Sequence, residues 1–343
     1  MNFRAERGML SQIDKLRQRT GSVGEVTEVQ AVVYSAPMTL EVLDVVDPQP
    51  QPGEVIVDVR AVGICGSELE GFASASPFRV PPLIMGHEIA GVVASTGAHV
   101  AVNPLVSCKT CDLCGRGLPN VCRNRQIIGI QRPGGFTERV AVPEVNCHVA
   151  DDSTPFTTLA LAEPLANAVH ALRLVQEHDA WPQRVGIIGG GAIGLCQALV
   201  ARARGIPHVE LCDLSIDRLE TARRAGISVR HGELDGEFDV VFDTVGLAST
   251  RGASLRLIRP AGTAMWVGLH GPDAELDGRA MIRNEIRVLT TFGYSRQDFQ
   301  VAVDFTRLLE PDWTQTQPMD RGAEAFLGLL SGPAAATKIM LVN

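Results

Sequence analysis

The sequence predicts a two-part chain: an irregular, mostly β segment followed by a doubly wound parallel α/β sheet. Three observations predict it. Short strands punctuated by Gly and Pro occupy residues 30–149, helices and strands alternate from about Thr157 onward, and a glycine-rich turn joins strand to helix at Gly189–Gly194. A length of 343 residues suggests about two domains.

The first 28 residues stand apart. Met9, Ile13 and Leu16 can share one face of a short helix that Ser11 would cap; a flexible tail or loosely docked arm is the plain alternative. Met1–Arg19 is dotted with charge and has no apolar h-region, which argues against a secretory signal; Glu6 and Asp14 argue against a mitochondrial presequence. No apolar run approaches the ~20 residues of a membrane span. The net charge of −8 disfavours nucleic acid and anionic membranes as partners. The expected compartment is the cytoplasm, where the eight cysteines are thiols or metal ligands rather than disulfides.

In the β segment, Val55, Val57 and Val59 alternate with Ile56, Asp58 and Arg60, the period of a half-buried strand. Gln51-Pro52-Gly53, Pro81-Pro82 and Pro133-Gly134-Gly135 mark turns. After Thr157, the run from Leu159 through Leu174 fits a helix. Then follow the strand Arg184–Ile188, the helix Ala192–Arg204, the strand His208–Cys212, the helix Ile216–Ala225 and a strand near Val240–Asp243. Later strands are expected at Thr263–Val267 and Val288–Phe292. Helices after Asp298 and Arg321 and the ending Lys338–Val342 are expected to return to the first domain.

The turn Gly189-Gly190-Gly191-Ala192-Ile193-Gly194 has the spacing G-x-G-x-x-G. Gly189 permits the tight turn, Gly191 lets backbone approach a pyrophosphate at the helix N-terminus, and Gly194 allows close helix–strand packing. Asp213 follows about 20 residues on, at the end of the next strand. Its carboxylate can accept from ribose hydroxyls and repel a 2′-phosphate, which favours NAD over NADP. Arg218 either lies over the adenine or is a solvated helix residue.

Cys108, Cys111, Cys114 and Cys122 read C-x2-C-x2-C-x7-C, spacing suited to a closed, structural tetrahedral zinc site. Unliganded thiols and a nucleic-acid zinc ribbon are the alternatives; net charge and the downstream nucleotide turn oppose the ribbon. A second, open set is scattered: Cys65 in Gly63-Ile64-Cys65-Gly66-Ser67, His87 and Glu88 in Gly86-His87-Glu88, and Glu163 in Ala162-Glu163-Pro164-Leu165. None is convincing alone, but three protein ligands plus water is how catalytic zinc is built.

Together these segments resemble the zinc-dependent medium-chain alcohol dehydrogenases. Gly135-Phe136-Thr137-Glu138 and Asp213-Leu214-Ser215 add to the likeness, which runs in the family's order from about residue 30 to the end. Glu163-Pro164-Leu165 and the Asp-Leu-Ser turn lean toward the sorbitol, threonine and butanediol dehydrogenase branch. The resemblance implies an N-terminal extension at 1–28, a GroES-like catalytic domain at 29–165 completed by 305–343, a Rossmann NAD-binding domain at 166–304, and a cleft between the two domains. It implies two zinc ions per chain. Cys65 and His87 would bind the catalytic ion, with Glu163 third, directly or through water, and Glu88 exchanging in and out. Val267-Gly268-Leu269 and Thr291-Phe292-Gly293 match positions that line the nicotinamide, with ordinary strand ends as the alternative; Tyr294 and His270 are candidates for the cleft wall. A homodimer or homotetramer is expected.

Ser67, two residues past Cys65, is placed to take the substrate proton. Relatives carry a histidine five residues past the cysteine as the relay's exit; here that residue is Glu70, either a carboxylate relay or a solvated side chain. Only 21 positions separate His87 from Cys108, which predicts a trimmed hairpin. Between Gly226 and Asp243 there is no room for a crossover helix. Cys147, Cys196 and Cys212 are expected to be buried apolar residues. The leading reading is an NAD-dependent zinc dehydrogenase of a secondary alcohol: a polyol, amino alcohol or cyclitol. A primary-alcohol or formaldehyde dehydrogenase is the enzymatic rival, and a non-catalytic NAD-binding structural or sensor protein the rival of another class.

Overall fold

The computed structural model describes residues 27–74, 76–178, 181–331 and 337–343. The helix expected around Met9–Leu16 lies outside them. The chain divides into two compact units, one comprising residues up to Glu163 with Val303–Glu310 and Thr314–Asn343, the other Pro164–Ala302 with Pro311–Trp313.

The first unit opens with an antiparallel hairpin, β1 (Glu28–Ala36) and β2 (Thr39–Val46). Strand β3 (Glu54–Gly63) is the hub. Val57 and Val59 face the core while Arg60 is exposed, as the alternation predicts. Helix α1 (Gly66–Ala73) leaves its end, and β4 (Leu83–Ile84), β5 (Glu88–Val93) and β6 (His99–Val102) follow. Strands β5 and β6 are joined by only five residues, 94–98. Next come β7 (Leu105–Val106), the short helix α2 (Asp112–Gly115), β8 (Gln126–Ile127), β9 (Arg139–Pro143) and β10 (Cys147–Val149). The core is aromatic at its centre: Phe326 meets Phe72 and Phe136 edge-on, with ring centroids 5.3 and 5.7 Å apart. Each such buried ring contributes about 1.5–3 kcal/mol of transfer energy.

The run expected as one helix from Leu159 is split into α3 (Phe156–Leu159) and α4 (Ala162–Gln176). Glu163 and Pro164 lie in the first turn of α4, where a proline's missing N–H removes no helical bond.

The second unit holds β11 (Arg184–Ile188), α5 (Ala192–Ala203), β12 (His208–Asp213), α6 (Ile216–Arg224), β13 (Ser228–His231) and β14 (Phe238–Asp243). Then come α7 (Ala248–Arg256), β15 (Ile258–Trp266), α8 (Gly278–Arg283), β16 (Arg287–Thr290) and α9 (Arg296–Thr306). The six strands run parallel in the order β13-β12-β11-β14-β15-β16, the doubly wound arrangement expected. Strand β13 escaped the sequence reading because it is a short, largely exposed edge strand. Residues 232–237 then cross to β14 without a helix. Leu234 and Phe238 cover β11 at Gly186, where an added Cβ would lie 2.8 Å from Leu234. In this unit Asp298 is buried and accepts hydrogen bonds from Arg173 Nε at 2.8 Å and Ser295 Oγ at 2.6 Å, with His170 Nδ1 at 2.7 Å.

The chain returns to the first unit through β17 (Thr314–Pro318), α10 (Gly322–Ser331) and β18 (Lys338–Val342). Strand β18 pairs antiparallel with β3, completing the order β10-β6-β5-β3-β18-β17 with β9 also on β3. Among the described residues, no helix is long and apolar enough to cross a membrane.

Candidate active site

Two loops of the first unit meet at a buried carboxylate. Cys65 is the N-cap of α1, and Glu68, at the third helical position, folds back so that its Oε2 accepts from the Cys65 amide at 3.0 Å. Its Oε1 accepts from the Gly86 amide at 2.9 Å and lies 2.8 Å from His87 Nδ1. Burial works against the Glu68 charge, but the charge and hydrogen bond of His87 and the charge of Arg79 hold its carboxyl below the usual range. An ionised carboxylate only accepts, so His87 Nδ1 carries a proton and Nε2 is the ring nitrogen turned toward Cys65, the one that would bind a metal once its own proton is displaced. Burial likewise opposes charge on His87, but Glu68 and Cys65 together raise its pKa well above the ordinary value.

Glu88 follows at the start of β5. Its Oε1 accepts from Lys338 Nζ at 2.6 Å, and Lys338 also donates to Ile64 O at 3.1 Å. Burial opposes the lysine's charge; Glu88, Cys65 and Glu163 outweigh it and raise the pKa. The other oxygen, Oε2, is sealed from solvent with no hydrogen-bond partner. Gly63 leaves room for it, since a Cβ there would fall 2.0 Å away.

Donor atoms of Cys65, His87 and Glu88 lie within 4.8 Å of one another. A thiol, an imidazole nitrogen aimed by a carboxylate, and a second carboxylate with one oxygen left unpartnered fit a divalent zinc ion. Glu163 is half-buried and lies outside that triplet, although it acts on Lys338. Ser67 is exposed; its Oγ lies 3.4 Å from Cys65 Sγ and accepts from Arg79 Nη2 at 3.0 Å. Glu70, one turn further along α1, is also exposed.

The four-cysteine loop is gathered as its spacing predicts. Sulfur–sulfur distances are 3.4 Å for Cys108–Cys122, 3.6 Å for Cys111–Cys114 and 3.8 Å for Cys111–Cys122. A tetrahedron of thiolates ~2.3 Å from zinc has edges of about 3.8 Å, so the set fits the ion. The Thr110 amide and hydroxyl push the Cys108 thiol down to about 5. Arg123 clasps Asp112 across the loop at 2.7 and 2.9 Å.

In the second unit, Gly189 has φ +105°, and a Cβ on Gly194 would sit 1.8 Å from Gly189 O. Gly191 has open space around it and caps the N-terminus of α5, where Ala192 and Ile193 begin the helix. Asp213 accepts from the Gly190 amide at 2.6 Å and the Ser215 amide at 2.7 Å; Arg218 Nη1 is 3.6 Å away. The Val267 and Gly268 amides donate to Asp243 O, and Leu269 is exposed. Arg251 holds the following loop through the carbonyls of Gly268, Gly271 and Asp273. The Thr291 amide donates to Trp266 O, while its Oγ1 is sealed with no partner; Phe292 and Gly293 are half-buried. The open helix N-terminus, the fixed Asp213 carboxylate and the orphaned Thr291 hydroxyl fit a dinucleotide.

Tyr294, expected at the cleft wall, is instead buried against Phe299, with ring centroids 5.4 Å apart. His270 is exposed and placed by Val245 O at 2.7 Å. Cys196 and Cys212 are buried as expected; Cys147 is only half-buried. The residues that sequence reasoning missed are Glu68, Lys338 and Arg79. Glu68 had a signal, an acid at the third position after a helix cap. So had Lys338, one of only three lysines among 31 basic residues, set at the head of the apolar strand Lys338-Ile339-Met340-Leu341-Val342.

Comparison with known proteins agrees with this geometry. Residues 51–152 match the alcohol dehydrogenase GroES-like domain and residues 192–307 the zinc-binding dehydrogenase family. The chain is 30% identical over 331 residues to L-threonine 3-dehydrogenase of Saccharopolyspora erythraea, covering 87% of this chain and 95% of that one. It is 33% identical over 242 residues to D-altritol 5-dehydrogenase of Agrobacterium fabrum, covering 66% and 72%. The structure of acetophenone reductase from Geotrichum candidum in complex with NAD superposes with a TM-score of 0.82 at 25% identity, covering 94% of this chain and 99% of that one. With matches to both family models and 30% identity over most of the chain, the chain belongs to the zinc-dependent medium-chain alcohol dehydrogenases, in their sorbitol- and threonine-dehydrogenase-like branch.

Proposed function

We propose that this protein is an NAD-dependent zinc alcohol dehydrogenase that moves hydride between a secondary alcohol and the nicotinamide. The observation that carries the reading is the intact donor triplet of Cys65, His87 and Glu88 with Ser67 beside it. The D-altritol and L-threonine dehydrogenases are named for reaction at carbons 5 and 3, both secondary carbinols, which supports a polyol, amino alcohol or cyclitol substrate over a primary alcohol. A non-catalytic NAD-binding protein would have no need of that triplet.

Bound at the triplet, zinc supplies Lewis acidity to the substrate oxygen, and NAD, bound at the glycine-rich turn, supplies the hydride acceptor. Cys65 and His87 hold the ion, Glu68 fixes the His87 ring, and Glu88 or Glu163 completes the set. Ser67 accepts the hydroxyl proton and releases its own toward the nicotinamide ribose as the carbinol hydrogen leaves as hydride. Glu70, on the same exposed side of α1, passes that proton to water. Asp213 selects NAD by accepting from ribose hydroxyls, Arg218 covers the adenosine, and Gly189, Gly191 and Gly194 admit the pyrophosphate. Val267–Leu269 and Thr291–Gly293 face the nicotinamide. A second zinc ion in the four-cysteine loop is structural, and the chain assembles as a homodimer or homotetramer in the cytoplasm.

The decisive experiment is NADH production over a panel of secondary alcohols, polyols and aminocyclitols, with metal analysis and light scattering on the same preparation. Turnover of secondary alcohols, two zinc ions per chain and an oligomer are expected. Silence across the panel, one ion or none in an active preparation, or a monomer at micromolar concentration would each remove the corresponding part.

A further inference from the structure

Arg79 is a nearly buried cation that forms no direct ion pair among the described residues. It is only 7% exposed, yet among the described residues no carboxylate comes within 4.0 Å of it. Its hydrogen bond is spent on a neutral hydroxyl, Ser67 Oγ, at 3.0 Å from Nη2. Its Nε is sealed and donates to nothing. A guanidinium stays charged at every working pH, and buried charges are normally paired. The Tyr34 hydroxyl, also sealed and partnerless, feels this charge: burial raises the phenol's pKa and Arg79 opposes the rise. Room for the arginine comes from Gly71, where a Cβ would fall 2.6 Å from Arg79 Cδ. A nearly buried guanidinium that touches no carboxylate directly, with one N–H left without a partner, thus stands beside the atom assigned above to receive the substrate proton.

We propose that Arg79 binds the carboxylate of the substrate, so that the enzyme's preferred alcohols are 2- or 3-hydroxy acids. The inference deepens the dehydrogenase reading and rests on it for the role of Ser67. A hydroxyl in contact with Ser67 Oγ lies at most ~6 Å from Arg79 Nη2, adding the 3.0 Å contact to a hydrogen bond of about 2.7 Å. A carboxylate one or two carbons from the carbinol spans that gap and meets the planar fork of the guanidinium. The single fork favours a monoanionic carboxylate over a phosphate ester, which would keep a charge unneutralised.

The test pairs each hydroxy acid with a neutral partner: 3-hydroxybutyrate with 2-butanol, and D-gluconate with D-glucitol, with glucitol 6-phosphate as the phosphate arm. NADH formation is measured for the wild type, Arg79→Gln, Arg79→Lys and Gly71→Ala; the last displaces the arginine by crowding rather than by removing it. Calorimetric titration with butyrate and butyramide reads the anion site without turnover. The wild type should favour the acid of each pair by about 10–100-fold in kcat/KM, mostly through KM. That ratio should collapse in Arg79→Gln and Gly71→Ala and survive in part in Arg79→Lys, and butyrate should outbind butyramide in the wild type only. Equal use of acids and neutral alcohols, a preference that outlasts both Arg79→Gln and Gly71→Ala, or a stronger preference for the phosphate ester would overturn the proposal while leaving the dehydrogenase reading intact. No NADH with any alcohol would sink the dehydrogenase reading instead, and the butyrate titration would still decide the anion site.

Discussion

Glu68 Oε1 lies 2.8 Å from His87 Nδ1, and the same carboxylate accepts from the amides of Cys65 and Gly86. One buried side chain therefore sets the distance between the two loops that carry metal donors and the tautomer of the histidine. Glu68→Gln keeps the shape and loses the charge. It is expected to weaken zinc at the open site by about 10–100-fold while the four-cysteine ion stays. Zinc release to a graded chelator series reads this; identical release curves for variant and wild type would refute it.

Coenzyme choice should follow Asp213. Its two oxygens are pinned by the Gly190 and Ser215 amides, so the charge cannot swing away from an incoming 2′-phosphate. NAD should be preferred, and Asp213→Ala should narrow the NAD/NADP ratio in kcat/KM by ~10-fold or more. Equal wild-type kinetics with both coenzymes would count against the assignment.

The proton path is tested by two variants. Ser67→Ala should keep both zinc ions and NAD affinity but lose ~10²–10⁴ in turnover, the range for a positioned proton-transfer group. Glu70→Gln should slow turnover near neutral pH, with partial recovery in concentrated buffer base. A wild-type pH profile for Glu70→Gln would end the relay before that residue.

A fourth expectation concerns stability. Burial opposes the Asp298 charge, but hydrogen bonds from His170, Arg173 and Ser295 prevail and hold its carboxyl below the ordinary range. The native state thus favours the ionised form. That stabilisation is complete above the unfolded pKa of about 3.9 and drains away as pH falls below it. Asp298→Asn should cost about 3–5 kcal/mol at neutral pH, the scale for breaking a buried pair, and the gap to wild type should shrink in acid. Urea midpoints at pH 7 and pH 3 that differ from wild type by the same margin would contradict this.

The parts legible in sequence were those where one local rule suffices. Alternating valines gave β3, the glycine spacing gave the turn at Gly189–Gly194, and four cysteines within fifteen residues needed only each other. What stayed hidden depends on distant partners. Lys338 meets Glu88 across 250 positions, because β18 returns to pair with β3. Arg79 looks like a surface residue in a proline-flanked loop until Gly71 is seen to make room for it. Tyr294 carries a polar tip at a position expected to face the cleft, but contact with Phe299 holds it in the core.

The helix-free crossing from β13 to β14 has a mechanical consequence. His231 and Phe238 are seven peptide links apart, a maximum reach of roughly 25 Å. Their strands are three places apart in the sheet, and the chain must also run back from the C-terminal end of one to the N-terminal end of the other. That diagonal is roughly 20–25 Å. The segment therefore has little length to spare, even with its bends at Gly232 and Gly236. Just after β13, the Gly232 amide donates to Asp213 O, while β14 ends at Asp243, whose side chain fixes the Val245 and Gly246 amides. A crossing this short leaves β13 little room to shift relative to β14.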